Sequence, residues 1–230
     1  MEKIHSKKIT KNYFEKLSWE KSLYTCGIDE VGRGCLAGSV VTCACILPPN
    51  TKYNLLKDSK ILTVKERNTA YKWIVENCFC SIAISSHKII DQFNIYQATL
   101  KTMHKSFIQL IQVLPFAYEK LKYVVIDAMP LKINPYYKHE NLEVFYFNYG
   151  ETKSSSIAAA SIVAKVTRDK LMQNISSSFP GFSLNQHKGY ATPKHIVAVL
   201  ENGASIIHRK TFLVKIKREN SNETKQQSLF

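Results

Sequence analysis

No stretch of this chain approaches the run of about 20 apolar residues that crosses a bilayer. Its opening, Met1 to Lys21, is charged and interrupted, without the apolar core of a secretory signal. Cysteine is scarce, at six residues with no C-x-x-C pair, which argues against a thioredoxin-type motif or the usual zinc ligand sets. Cys43-x-Cys45 and Cys78-x-Cys80 would have to meet across neighbouring strands to share an ion. Reduced thiols packed as small hydrophobes are the expectation, in a cytoplasmic protein. Acidic residues are also few: 18 Asp and Glu stand against 32 Lys and Arg, a net charge of +14. That balance favours a polyanionic partner over a membrane surface, although a lysine-rich composition alone accounts for part of it. The glycines of Gly32-x-Gly34-x-x-x-Gly38 neither match the dinucleotide fingerprint nor lead into a helix, and no Gly-Lys-Ser/Thr follows. Rossmann and P-loop folds are therefore excluded, and no internal repeat is visible.

What is present is enough apolar material, 45% of 230 residues, for one well-buried core. Short strands are predicted over 23–28 and 40–47, the second ended by Pro48-Pro49, and they read as a hairpin-like pair. Thr63 is placed to cap a helix bearing Ala70, Trp73 and Ile74, with a strand from Phe79 after it. Met103, Phe107, Leu110, Ile111 and Leu114 recur at helical spacing, predicting a helix from Ile95 to Leu114. Buried strands follow over 121–126 and 142–147. A long helix capped at Ser154 runs toward Pro180-Gly181, and a shorter one starts after Pro193. The division expected is a loosely packed basic extension over 1–20, one folded body over 21–218 including its helical C-terminal part, and a polar tail over 219–230.

Three of these strands end on acid. Asp29 and Glu30 close the first, Asp127 closes another, and Glu151 follows a third. Carboxylates are hard donors suited to Mg2+ or Mn2+, and two ions held about 4 Å apart would neutralise them and clamp a scissile phosphodiester. Adjacent strand residues face opposite ways, so a bulge or strand end is expected at Asp29-Glu30, or contact through the Glu30 backbone oxygen. Arg33 lies between Gly32 and Gly34, whose backbone amides can approach a phosphate or sugar closely.

The motifs Gly27-Ile28-Asp29-Glu30-Val31-Gly32-Arg33-Gly34, Lys57-Asp58-Ser59-Lys60, Asn94-Ile95, Ile126-Asp127, the helix Ser156 to Lys165 and His187-Lys188-Gly189-Tyr190 occur in one order. In that order they resemble the ribonuclease HII family. The resemblance covers most of residues 25 to 212. It implies an α/β, ribonuclease H-like fold with a mixed central β-sheet flanked by helices, and a four-carboxylate site using two Mn2+ or Mg2+ ions. Asp29, Glu30 and Asp127 match the family's acids. Its fourth aspartate falls on Glu151, a departure that keeps the charge and shifts the oxygens. That glutamate also resembles the sister family ribonuclease HIII, against which stand the Gly32-Arg33-Gly34 loop and the short lead-in. The resemblance further assigns Gly32, Arg33, Gly34 and Tyr190 to sensing a ribonucleotide, with Lys60 and Lys188 as phosphate contacts and Arg209 and Lys210 extending the basic surface. His187 is expected to bond within its loop.

The implied activity is metal-dependent hydrolysis on the 5′ side of ribonucleotides in RNA/DNA hybrids or embedded in duplex DNA, in the service of DNA replication and repair. A monomer with no membrane association is expected. A non-catalytic hybrid-binding protein and a ribonuclease HIII-like nuclease are the alternatives.

Overall fold

The computed structural model describes residues 9–214. Its elements run α1 (Tyr13–Trp19), β1 (Tyr24–Val31), β2 (Val40–Ile46), α2 (Val64–Asn77), β3 (Phe79–Ser85), α3 (His87–Gln112), β4 (Leu121–Asp127), β5 (Glu143–Phe147), α4 (Gly150–Lys153), α5 (Ser155–Asn174), α6 (Leu184–His187) and α7 (Pro193–Asn202). The five strands form one mixed sheet in the order β3-β2-β1-β4-β5. β1 pairs antiparallel with β2, as the hairpin reading expects, and parallel with β4, which pairs parallel with β5.

Local chemistry accounts for most boundaries. Thr63 and Glu66 form a reciprocal capping box at the start of α2, and Trp73 stacks on Tyr53 with ring centres 4.3 Å apart. α3 is interrupted at Asn94, whose backbone leaves the helix with a positive φ of 63°. The Asn94 side chain accepts the Gln97 N–H at 3.0 Å, so it caps the helix predicted from Ile95, while His87 to Phe93 forms a preceding segment that the periodicity does not reveal. α5 stops at Asn174, short of Pro180-Gly181; a 3-10 turn over Ser176–Ser178 intervenes, and a second spans Pro180–Phe182. Thr192 caps α7 as Pro193 begins it.

Contacts divide the described residues into two compact units. The first comprises 9–31, Val41–Ile84 and Thr99–Thr167. In it, Met103, Phe107 and Leu110 of α3 pack on one sheet face with Cys26, Ile28, Ala44, Ile46, Val124 and Ile126. Ile157 of α5 packs on the other face with Val125, Phe145, Phe147 and Phe14. The approach of α5 is very close: a Cβ on Gly27 would lie 2.2 Å from the Ser156 carbonyl carbon and 2.3 Å from the Ile157 nitrogen. Only glycine permits that contact.

Residues 9–20 are not the loose extension expected. Phe14 is buried in the aromatic cluster, stacked 4.7 Å from Phe145. The polar side chains of this segment also finish α5: Asn12 Oδ1 accepts the Ser155 N–H at 2.9 Å and Glu15 Oε1 accepts the Ser156 N–H at 3.0 Å. Ser154 Oγ takes the Ile157 N–H at 3.1 Å, as its capping role predicts. A helix leaves its first four N–H groups without internal partners, and here the buried start of α5 is served from 141 and 143 residues upstream. Residues 1–8 and the tail over 219–230 lie outside the described residues.

The second unit comprises Gly32–Val40, Ser85–Ala98 and 168–214. Leu36, Met172, Leu184, Val199 and Leu213 are buried together, with Val40, Ile90 and Ala98 in a smaller cluster. Asp91 accepts the Lys210 and Thr211 N–H groups at 2.9 and 3.0 Å, fixing the turn after Arg209.

Replacing Glu15 with Ala leaves the first turn of α5 short of a buried acceptor and is expected to cost about 2 kcal/mol, lowering Tm by roughly 4–8 °C. Glu15→Gln, which keeps the acceptor oxygen, should recover part of the loss in the same thermal melt.

Candidate active site

Parallel pairing of β1 with β4 ends at Ile28 and Ile126, so the next residue on each strand is Asp29 on one and Asp127 on the other. Asp29 is buried and Asp127 half-buried, and the two carboxylates repel. The Asp29 carboxyl is pushed well above its ordinary range by burial first, then by the charges of Glu30 and Asp127, against the opposing hydroxyl bond from Ser161. Glu151 is also raised, by burial and then by Asp127 and Asp58, with Lys60 acting in the opposite sense. Gly150 connects these groups: its N–H donates to Asp127 Oδ1 at 2.7 Å, and a Cβ there would meet Ile157 Cδ1 at 2.7 Å. Glu151, in the short α4 after β5, is thereby held beside Asp127. Among the described residues no three His, Cys, Asp or Glu side chains are gathered tightly enough to hold an ion by themselves.

The bulge expected at Asp29-Glu30 is not found. β1 pairs regularly with β2 through Glu30 opposite Thr42 and Val31 opposite Val41, and its one register shift lies at Tyr24/Thr25. The strand-end alternative describes the β4 side, where pairing stops just before the acids. Asp29 Oδ1 accepts the Glu30 N–H at 2.7 Å, which orients the first carboxylate from its neighbour's backbone.

Two further groups join this cluster. Ser161, in the middle of α5, bonds to Asp29 and, at 2.9 Å, to the Ser59 hydroxyl, drawing the Lys57-Asp58-Ser59-Lys60 stretch to the acids. Asp58 Oδ1 accepts the Lys60 N–H at 2.9 Å, and Lys60 is exposed. Ser161 belongs to the motif helix, yet nothing in its spacing distinguishes it from the helix's other serines.

The remaining substrate candidates lie in the second unit. Cys35 bridges to Tyr190 and Ala37 to His208, while the Leu36 N–H donates to the Gly189 carbonyl at 2.8 Å. The loop of Gly32, Arg33 and Gly34 thus shares a scaffold with Lys188 and Tyr190. Gly32 has φ at +97°, and a Cβ on it would lie 2.2 Å from Arg168 Nε. The Arg168 guanidinium carbon sits 5.4 Å from the Tyr190 ring centre. Arg209, expected to extend the basic surface, is instead wholly buried, and Lys210 beside it is exposed. A guanidinium carries five directed donors, and here backbone carbonyls take three of them.

Three histidines brace the same loop. His195 Nδ1 faces the Tyr190 carbonyl at 2.9 Å and must donate, so its Nε2 accepts from His208 Nε2 at 3.1 Å. His208 Nδ1 in turn accepts the Ser205 N–H at 3.0 Å. His187 stacks on His195 with ring centres 4.2 Å apart and bonds the Phe182 carbonyl at 2.7 Å, the local role expected of it. This arrangement requires neutral rings.

The six cysteines are free thiols, as expected. The two pairs do meet across β2 and β3, where Cys80 Sγ lies 3.1 Å from Cys45 Sγ.

Comparison with known proteins places this geometry. The ribonuclease H2 of Pyrococcus horikoshii OT3 shares the fold with a TM-score of 0.66 at 20% identity, covering 86% of this chain and 98% of that one. Bst-RNase HIII in complex with Mn2+ shares it at 0.57 and 19% identity, covering 88% and 73%. A Ribonuclease HII of Levilactobacillus brevis is 41% identical over 201 residues, 87% of this chain and 73% of that protein. The fold and the relatives define a ribonuclease H, an endonuclease. The family model for Ribonuclease HII matches residues 26–219, and the chain belongs to the ribonuclease HII family. No helix among the described residues is long and apolar enough to cross a membrane.

Burial lowers the pKa of His195, and that of His208 from 6.5 to about 4, so the folded chain binds fewer protons than the unfolded one between those values. Stability from the histidine array is full above about 6.5 and falls as pH drops through that window. Wild-type Tm should fall by several degrees between pH 7.5 and pH 5, and His208→Gln should flatten that dependence in parallel melts.

Proposed function

We propose that Asp29, Glu30, Asp127 and Glu151 are the catalytic and metal-holding residues, and that the reaction is hydrolysis of the phosphodiester on the 5′ side of a ribonucleotide, in an RNA/DNA hybrid or embedded in duplex DNA. The observation that carries this reading is the placement of Asp29, buried at the point where β1–β4 pairing stops, with Glu30 next to it and Asp127 at the matching position of β4. Proteins do not bury mutually repelling carboxylates for stability, and the charge they lack is cationic. The donor set is all carboxylate oxygen, which fits Mg2+ or Mn2+ and not a thiophilic ion. When bound, two such ions would polarise the phosphodiester and activate the attacking water.

The chain's own residues do the positioning. Ser161 and the Glu30 N–H orient Asp29, and the Gly150 N–H orients Asp127. Lys60, with its charge felt at Glu151, supplies a contact for a phosphate beside the acids. Gly32, Arg33, Gly34, Lys188 and Tyr190 read the ribonucleotide: backbone donors suit the 2′-hydroxyl, and a tyrosine ring suits the sugar face. The protein works as a cytoplasmic monomer in DNA replication and repair, removing misplaced ribonucleotides and primers. The net charge of +14 supports a nucleic-acid duplex as partner.

A duplex carrying one embedded ribonucleotide, incubated with Mg2+ and then Mn2+, tests the assignment. Asp29→Asn should abolish cleavage under both ions, by at least 1000-fold, while the metal-free protein keeps its fold and melts slightly higher because a repulsive charge has gone. Turnover preserved in that variant refutes the role of Asp29. Glu151→Asp should remain active and raise the Mg2+-supported rate relative to the Mn2+-supported one several-fold, since magnesium is the less tolerant of misplaced oxygens.

A further inference from the structure

Arg209 donates Nη2 to the Gly32 carbonyl at 2.7 Å, Nη1 to the Arg33 carbonyl at 2.8 Å and Nε to the Gly38 carbonyl at 3.0 Å. Three carbonyls of one loop are thus gathered onto a single planar fork. Arg168 takes two more, Ser39 at 2.8 Å and Ala37 at 3.2 Å, and reaches the Lys188 carbonyl at 2.9 Å. Both guanidinium groups are fully buried. Burial draws Arg209 down to about 10, so it remains a cation at neutral pH.

We infer that Arg209 is the positioning residue that aims the substrate-reading amides of the Gly32-Arg33-Gly34 loop. The argument is planar geometry. There are no cis peptides among the described residues, so each C=O and the N–H of the following residue point in opposite directions. Drawing the Gly32 and Arg33 carbonyls inward onto Arg209 turns the N–H of Arg33 and of Gly34 outward. Gly34 is exposed, and a Cβ built on it meets nothing within 4 Å, so the outward side is open. The Gly34 amide, turned toward that open side, gives the loop a donor for an anion or a hydroxyl. A buried cation behind the carbonyls polarises the same peptide planes and makes those donors stronger. Lysine would offer one point charge in place of a rigid fork and would not hold both planes.

This inference rests on the proposed reading of that loop as a substrate contact, and the experiment separates the two. In the full chain, Arg209→Lys is compared with Gly34→Ala, whose methyl enters open space, for cleavage of a duplex with one ribonucleotide and for affinity toward an all-DNA duplex. Arg209→Lys is expected to fold, to lose at least 10-fold in kcat/KM chiefly through KM, and to hold the all-DNA duplex within 2-fold of wild type. Gly34→Ala should lose cleavage in the same way. If Gly34→Ala is impaired and Arg209→Lys is not, the loop reads substrate without Arg209 aiming it, and the inference falls. If neither is impaired, the loop reading itself falls. Equal losses toward both duplexes in Arg209→Lys overturn the inference in favour of a merely structural role. Should that variant not fold, amide exchange in the wild-type chain with chelator present decides. Protection of the Arg33 and Gly34 N–H by the ribonucleotide duplex but not by all-DNA is expected, and its absence overturns the proposal.

Discussion

The contact between the first turn of α5 and Gly27 constrains everything near the acids. The helix backbone comes so near the strand that no side chain fits between them. Two residues beyond Gly27 is Asp29, and one turn beyond Ile157 is Ser161, which bonds to it. Ile157 itself fills the space beside Gly150, whose N–H holds Asp127. One helix therefore sets three distances at once, between β1, β4 and the turn that carries Glu151. Small residues along Ala158, Ala159 and Ala160, all fully buried, suit so close an approach. The cost of starting a helix inside the core is met by Asn12 and Glu15, which give its first N–H groups somewhere to go.

Much of the scaffold was legible from periodicity. The helix face of Met103, Phe107 and Leu110, the apolar approach to Asp127 and the Thr63 cap are local signals, each carried by a few neighbouring residues. That the acids end up near one another was legible too, because strands of one sheet bring their ends to a common edge. What eluded the sequence is polar and long-range. Glu15 meets α5 across about 140 residues and Arg209 meets Gly32 across 177, and neither leaves a periodic trace. A basic residue next to an exposed lysine reads as surface, so Arg209 gave no sign of its burial. The histidine array was hidden for the same reason, since His187, His195 and His208 sit at irregular intervals.

The two compact units divide the chemistry by type. The first collects negative charge, and burial there works against ionisation. The second collects buried positive charge and neutral imidazoles, all bonded to backbone carbonyls and amides. Groups of the first kind answer to cations through their charge, and both kinds answer to pH. Those of the second kind act by fixing the direction of peptide planes, which are insensitive to salt and carry no net charge to screen.

Arg209 lies five residues from the last described position, far along the chain from the loop whose carbonyls it gathers. A premature stop just before it would spare every acid discussed above and all five strands. The truncated product would keep the acids proposed to cut while losing the brace for the loop proposed to identify a ribose. In this protein, then, frameshifts near the 3′ end of the coding sequence threaten fidelity sooner than they threaten the fold of the acidic unit.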